Sequence, residues 1–143
     1  MPSAHESFWT YQRYAVVGHT ARKPFPALTY EGLKEQGKTA FAVDPSATDV
    51  AGDKTYAELA QLPEPVDAIV IEVPRDETAR WVERAADAGI KHVWIHMKCD
   101  TPEAHHLAQT RGLDLHSGTC AVMYLKGGFH KIHKWINKAI GKY

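Results

Sequence analysis

The sequence predicts a doubly wound α/β fold of the Rossmann-like kind, with a parallel sheet of about five strands and an additional C-terminal helix. Three observations predict it. Short β-branched runs alternate with longer amphipathic stretches, the connections between them are only a few residues long, and glycines stand where the amphipathic stretches end. Strands joined through helices by short connections imply right-handed crossovers, hence parallel strands covered on both faces.

The strand candidates are residues 14–17, 39–43, 68–73, 92–96 and 113–116, each short, rich in branched or aromatic side chains and followed by a turn signal. The helix candidates are 27–36, ending at Gly37; 55–61; 76–88, ending at Gly89; and 101–110, ending near Gly112. Asp76 and Thr101 are capping residues for the last two, and Pro102 suits a first helical position. After the fifth strand Gly127 and Gly128 break the chain, and Phe129, Ile132, Ile136 and Ile140 repeat at helical spacing. Near the start, residues 6–11 are expected to form a short helix with Phe8 and Trp9 packing inward.

A chain of 143 residues matches one domain, so residues 1–143 are expected to share a single core. No stretch reaches the roughly 20 apolar residues of a membrane span, and the N-terminus lacks a basic-then-apolar leader. With two cysteines in all, Cys99 and Cys120, a disulfide framework is not expected, and the protein reads as cytoplasmic, without a membrane partner. Seventeen basic and seventeen acidic side chains balance, yet no Asp or Glu follows Asp114, while Lys126, Lys131, Lys134, Lys138 and Lys142 do. That basic end could attract an anion, although a lysine-bearing helix is more often just a solvated face. Trp81, Trp94 and Trp135 fall on core-type positions and no nucleic-acid motif accompanies them, so a nucleic-acid partner is not expected. The edge of a small parallel sheet and the apolar last helix leave room for a homodimer.

In open parallel sheets the ligand crevice lies outside the carboxyl ends of the strands. The first end carries Gly18, His19, Thr20, Arg22 and Lys23 before a helix start, a combination of tight turn, free backbone N–H groups and positive charge that suits a phosphate. The second end is Asp44-Pro45, the third Glu72-Val73-Pro74-Arg75, the fourth runs from His96 through Lys98 to Cys99, and the fifth from His116 to Cys120. A dinucleotide fingerprint needs three glycines, but Thr20 and Lys23 stand where the second and third belong. Asp44, 26 residues after Gly18, is placed to accept hydrogen bonds from a ribose, which keeps NAD(P) as the alternative ligand; it is also an ordinary turn residue. His96, Cys99, His116 and Cys120 together make a second alternative, a tetrahedral metal site in a regulatory protein. His105, His106, His130 and His133 read as helix-surface residues. No nucleophile and base are fixed together by spacing, so catalysis is not legible.

The segments YAVVGHTA (14–21), AVDP (42–45), LPEPVD (62–67) and AGIKHVWI (88–95) resemble the small stand-alone CoA-binding domain proteins. The resemblance spans roughly residues 12–124. These proteins are similar to the CoA-binding domain of the succinyl-CoA synthetase α chain, which implies a Rossmann-like fold holding coenzyme A across the strand ends. It further implies that Gly18, His19 and Thr20 cradle phosphate, that Arg22 or Lys23 pairs with it, and that Asp44-Pro45 and Val73-Pro74 flank the nucleotide. The catalytic histidine of the synthetase belongs to a separate domain, so the resemblance implies a binding, sensor or accessory module. Family members tend to carry Gly-Ala-Ser where this chain has Gly18-His19-Thr20, Asn-Pro where it has Asp44-Pro45, and glutamine then glycine where His96 and Lys98 stand; these departures point to a remodelled pocket.

Overall fold

A computed structural model describes residues 7–22 and 25–117. Among these residues the sheet has seven strands: β1 (Arg13–Gly18), β2 (Thr39–Val43), β3 (Asp49–Val50), β4 (Asp53–Tyr56), β5 (Ala68–Glu72), β6 (His92–Ile95) and β7 (Asp114–His116). Three helices alternate with them, α1 (Phe25–Glu35), α2 (Arg75–Asp87) and α3 (Pro102–Thr110). The strand order is β3-β4-β2-β1-β5-β6-β7, and every pairing is parallel except β3 with β4. The chain builds outward from β1 through β2 to β4, then returns to place β5 on the other side of β1, so the order reverses between β1 and β5.

Alternation along the strands sorts the core into two layers. Ala15 and Val17 of β1, Ile69 and Ile71 of β5, and Val93 and Ile95 of β6 pack with Trp81, Val82 and Ala85 of α2 and with Ala104 and Ala108 of α3. Tyr14, Val16, Ala68, Val70 and Trp94 face the other way, against Tyr30 and Leu33 of α1. The same layer takes in a single 3-10 turn at Phe8–Thr10. Phe8 and Trp9 are buried as expected, with ring centroids 4.7 Å apart, and the Tyr14 hydroxyl donates to the Phe8 carbonyl at 2.8 Å.

The helix ends follow local chemistry. At the end of α2, Gly89 takes φ +80°, which lets Ile90 N–H reach back to the Ala85 carbonyl at 2.9 Å. Thr101 caps α3 by accepting from Ala104 N–H at 3.1 Å, with Pro102 as its first residue. Asp76 does not cap α2: the helix begins one residue after Pro74, and Asp76 and Glu77 lie inside its first turn.

The helix expected over 55–61 is absent, and the sheet gains two strands in its place. Ala51 (φ +53°) and Gly52 (φ +84°) make a left-handed hairpin turn that sets Asp49 of β3 opposite Lys54 of β4, an opposite-charge pair. Thr55 and Tyr56 then continue as strand beside Ala42 and Val43. Only Leu59–Gln61 turns helically, held by the Gln61 side chain accepting from Ala57 and Glu58 N–H. Pro63 ends it there, because a residue before proline is driven out of the helical region and Leu62 accordingly has ψ 139°. The expected final helix with Phe129, Ile132, Ile136 and Ile140, and residue Glu6, lie outside the described residues. No helix among the described residues is long and apolar enough to cross a membrane.

One close approach fixes how α1 leaves the sheet. A Cβ at Gly18 would fall 2.2 Å from Pro26 Cγ and 2.9 Å from the Glu72 carbonyl oxygen, so the glycine lets the start of α1 press against the end of β1 where β1 pairs with β5. Gly18→Ala is therefore expected to lower stability by about 1–3 kcal/mol, the usual range for forced overpacking. Urea denaturation checks this, with a fall in the transition midpoint at unchanged slope.

Candidate functional site

The ends of β1 and β5 feed helices on opposite faces of the sheet, which opens a crevice between the two loops. On the β1 side the chain turns immediately, with Arg22 N–H donating to the His19 carbonyl at 2.9 Å. Arg22 is exposed, and α1 carries no acidic residue in its first turn. Its orphan N–H groups and dipole therefore meet no internal carboxylate from that turn. Lys23 lies outside the described residues.

Asp44 ties this turn to the next. Its Oδ2 accepts from Thr20 N–H (2.9 Å) and Thr20 Oγ1 (2.7 Å), and its Oδ1 from Ser46 N–H (2.9 Å) and Ser46 Oγ (2.6 Å). Only 2% of Asp44 is exposed. Burial pushes its pKa up, but the hydrogen bonds from Ser46 and Thr20 outweigh it and hold the carboxyl below the ordinary aspartate value. Pro45, exposed, lies with Asp44 along a cleft of about 350 Å³ that extends over Thr48, Lys54 and Gln61.

Across the crevice, Val73 is buried and Pro74 partly so, and α2 follows at once. His19 reaches over to it: Nε2 lies 2.9 and 3.0 Å from the two carboxylate oxygens of Glu77. A carboxylate only accepts, so Nε2 carries the proton in this contact. Arg80, one turn along α2, binds the same carboxylate at 3.1 Å.

Below the crevice floor sits a buried polar group. Glu72, the last residue of β5, is 0% exposed and accepts from Thr29 Oγ1 of α1 at 2.9 Å. His96 Nδ1 lies 3.2 Å from the same Glu72 oxygen, with Phe25 against the imidazole at 4.4 Å between centroids. At 1% exposure His96 sits beneath the crevice and does not line it. Lys98, two residues on, is exposed and takes φ +65°, a conformation natural to glycine and costly for other side chains. The bend that the family resemblance associates with glycine is thus present, with a lysine carrying it.

The strand-end positions thus divide. Gly18, His19, Thr20, Asp44, Pro45, Val73 and Pro74 gather around the crevice and its cleft, while His96 is internal and Lys98 belongs to the β6 turn. The metal reading is not supported. Cys99 is buried in the layer with α2 and α3, whereas His96 faces α1, and His116 stacks on Trp94 at 5.9 Å with Nε2 3.2 Å from Asp114 Oδ2. Cys120 lies outside the described residues, and among those described no group of three or more His, Cys, Asp or Glu side chains could hold a metal ion. Trp81 and Trp94 are core residues, as expected. The sequence places Glu72 at the third strand end without a role, the signal being a lone carboxylate in an otherwise apolar strand, and gives no sign of Glu77.

A second cleft, of about 570 Å³, lies at the opposite end of the sheet, between the segment before β5 and the end of α2. Leu59, Leu62, Val66 and Ile90 line it, together with Glu58, Glu64, Arg84 and Asp87. It is roomier but apolar and acid-rimmed, away from the strand ends where the order reverses.

A parallel sheet with this order reversal and crevice defines a Rossmann-like protein. The chain belongs to the CoA binding domain family, whose model matches residues 12–126. Among solved structures it is similar to a hypothetical protein from Pyrococcus horikoshii OT3, with 24% identity, TM-score 0.76, and coverage of 85% of this chain and 86% of that one. A conserved hypothetical protein from Pyrococcus furiosus is similar at 23% identity and TM-score 0.71, over 79% of this chain and 98% of that one. The dinucleotide forming acetyl-coenzyme A synthetase 1 of Ca. Korarchaeum cryptofilum, in its apo form, is similar at 22% identity and TM-score 0.60, where the match covers 77% of this chain and 26% of that one. These likenesses establish the fold. No curated protein matches the sequence.

Asp44→Asn tests the clamp. An amide replaces one acceptor oxygen by an NH₂ group, so a donor of Thr20 or Ser46 loses its partner, and stability near neutral pH should fall by about 1–3 kcal/mol. The sign with pH follows from the lowered pKa: the carboxylate contributes stability above its unfolded value near 4, and that contribution disappears as pH falls through the lower folded value. Thermal unfolding between pH 2 and 7 checks this, the difference between wild type and Asp44→Asn narrowing below about pH 4.

Proposed function

We propose that the chain binds coenzyme A or an acyl-CoA in the crevice between the ends of β1 and β5. The ligand's phosphates would lie against Gly18, His19, Thr20, Arg22 and Lys23, with the nucleotide flanked by Asp44-Pro45 and Val73-Pro74 and the β6 turn at Lys98 beside it. The observation that carries this reading is the start of α1: a helix with no acidic residue in its first turn, after a tight turn that exposes Arg22, at the point where the strand order reverses. Membership in the CoA binding domain family supports coenzyme A as the nucleotide. In this reading the protein is a cytoplasmic single-domain module that senses, carries or presents the ligand, without catalysing a reaction itself.

Thermal unfolding with coenzyme A, acetyl-CoA, NAD and NADP in parallel tests it. A ligand at 100 times its dissociation constant adds about 2.7 kcal/mol of stability. Stabilisation by coenzyme A or acetyl-CoA, weakened by Arg22→Ala, is the expected result. Stabilisation by NAD or NADP alone would transfer the site to a nicotinamide cofactor, and no response to any of the four would refute nucleotide binding.

A further inference from the structure

We propose that Glu77 sets the ligand affinity of this crevice, by occupying the His19 imidazole donor that a ligand phosphate would otherwise take. The inference rests on the reading that a phosphate docks at the β1 turn.

The geometry is specific. His19 leaves the β1 turn on one side of the crevice, and Glu77 stands in the first turn of α2 on the other. Both are mostly buried at the side chain, and Nε2 is within 3.0 Å of both carboxylate oxygens, so the pair spans the crevice and not merely one rim. Arg80 grips the same carboxylate from α2 and fixes its orientation.

The charges at the two helix starts are opposed in consequence. The start of α1 carries no acid, whereas that of α2 carries Asp76 and Glu77, which satisfy its dipole internally. An incoming phosphate thus meets a receptive helix start and, across the gap, a carboxylate that repels it and already occupies the imidazole donor. Binding requires His19 to exchange one anion for another. A neutral side chain of the same shape at position 77 removes the repulsion and replaces a charge-assisted hydrogen bond by a neutral one of roughly half the strength. Specificity follows as well: a ligand without phosphates does not compete for His19 and gains nothing from the change.

Calorimetric titration of coenzyme A and of pantetheine into wild type, Glu77→Gln, His19→Gln and the double variant tests this, with thermal unfolding of each protein alone to confirm folding. The account predicts that Glu77→Gln tightens coenzyme A by about fivefold, the upper range for one partly exposed ion pair. It also predicts that the gain shrinks in the His19→Gln background and that pantetheine shows none. A gain of affinity is an outcome that simple structural damage would not produce. Equal or weaker binding of coenzyme A by folded Glu77→Gln, with wild type binding normally, would overturn the role of Glu77 and leave the CoA reading standing. Absence of coenzyme A binding in both wild type and Glu77→Gln would overturn the CoA reading and this inference with it.

Discussion

The end of β1 admits no side chain at position 18, and the arrangement of the crevice depends on that. β1 lies between β2 and β5, with Gly18 paired to Glu72 at the far end. Because Gly18 has no Cβ, Pro26 closes on the strand end and α1 starts directly over it. That brings Thr29 within hydrogen-bonding distance of Glu72 and Phe25 against His96, so the buried polar group under the crevice is assembled by the same close approach. A fully buried carboxylate is costly unless it is partnered. The Thr29 hydroxyl donates to one of the Glu72 oxygens, and does so only while α1 keeps its position.

Above this floor the crevice is organised by carboxylates bound within the protein. Asp44 draws the turns after β1 and β2 together through Thr20 and Ser46, and Glu77 draws the turn after β1 toward α2 through His19. The β1 turn is thus held on both sides by anions of the chain itself. The arrangement orders the backbone and imidazole donors of the β1 turn. The Asp44 oxygens already accept from two turns, so a sugar hydroxyl there would compete with Thr20 or Ser46.

Much of the fold was legible because its main strands are buried on both faces. Runs such as residues 68–73 are apolar almost throughout, and the amphipathic stretches between them end on glycines, so element order and parallel connectivity followed from pattern. The β3–β4 hairpin was not legible for two physical reasons. Its strands hold only two and four residues. The stretch 55–61 also reads as an amphipathic helix, when Pro63 permits one turn and no more. At the crevice, the pattern located Gly18, His19, Thr20 and Asp44 on one edge, since strand ends can be counted from sequence. Their partners were not readable: Glu77 is 58 residues from His19 and Glu72 is 43 from Thr29, separations that only the folded sheet closes. Lys98 is the intermediate case, a position that the family resemblance associates with glycine and whose positive φ required the structure.

The most direct test of the crevice as the binding site is amide chemical-shift mapping by two-dimensional NMR as coenzyme A is titrated into the protein. The account predicts the largest shifts at residues 18–22, 44–46 and 73–77, around the ends of β1, β2 and β5. Shifts concentrated instead at residues 58–66 and 84–90, along the cleft at the opposite end of the sheet, would contradict it.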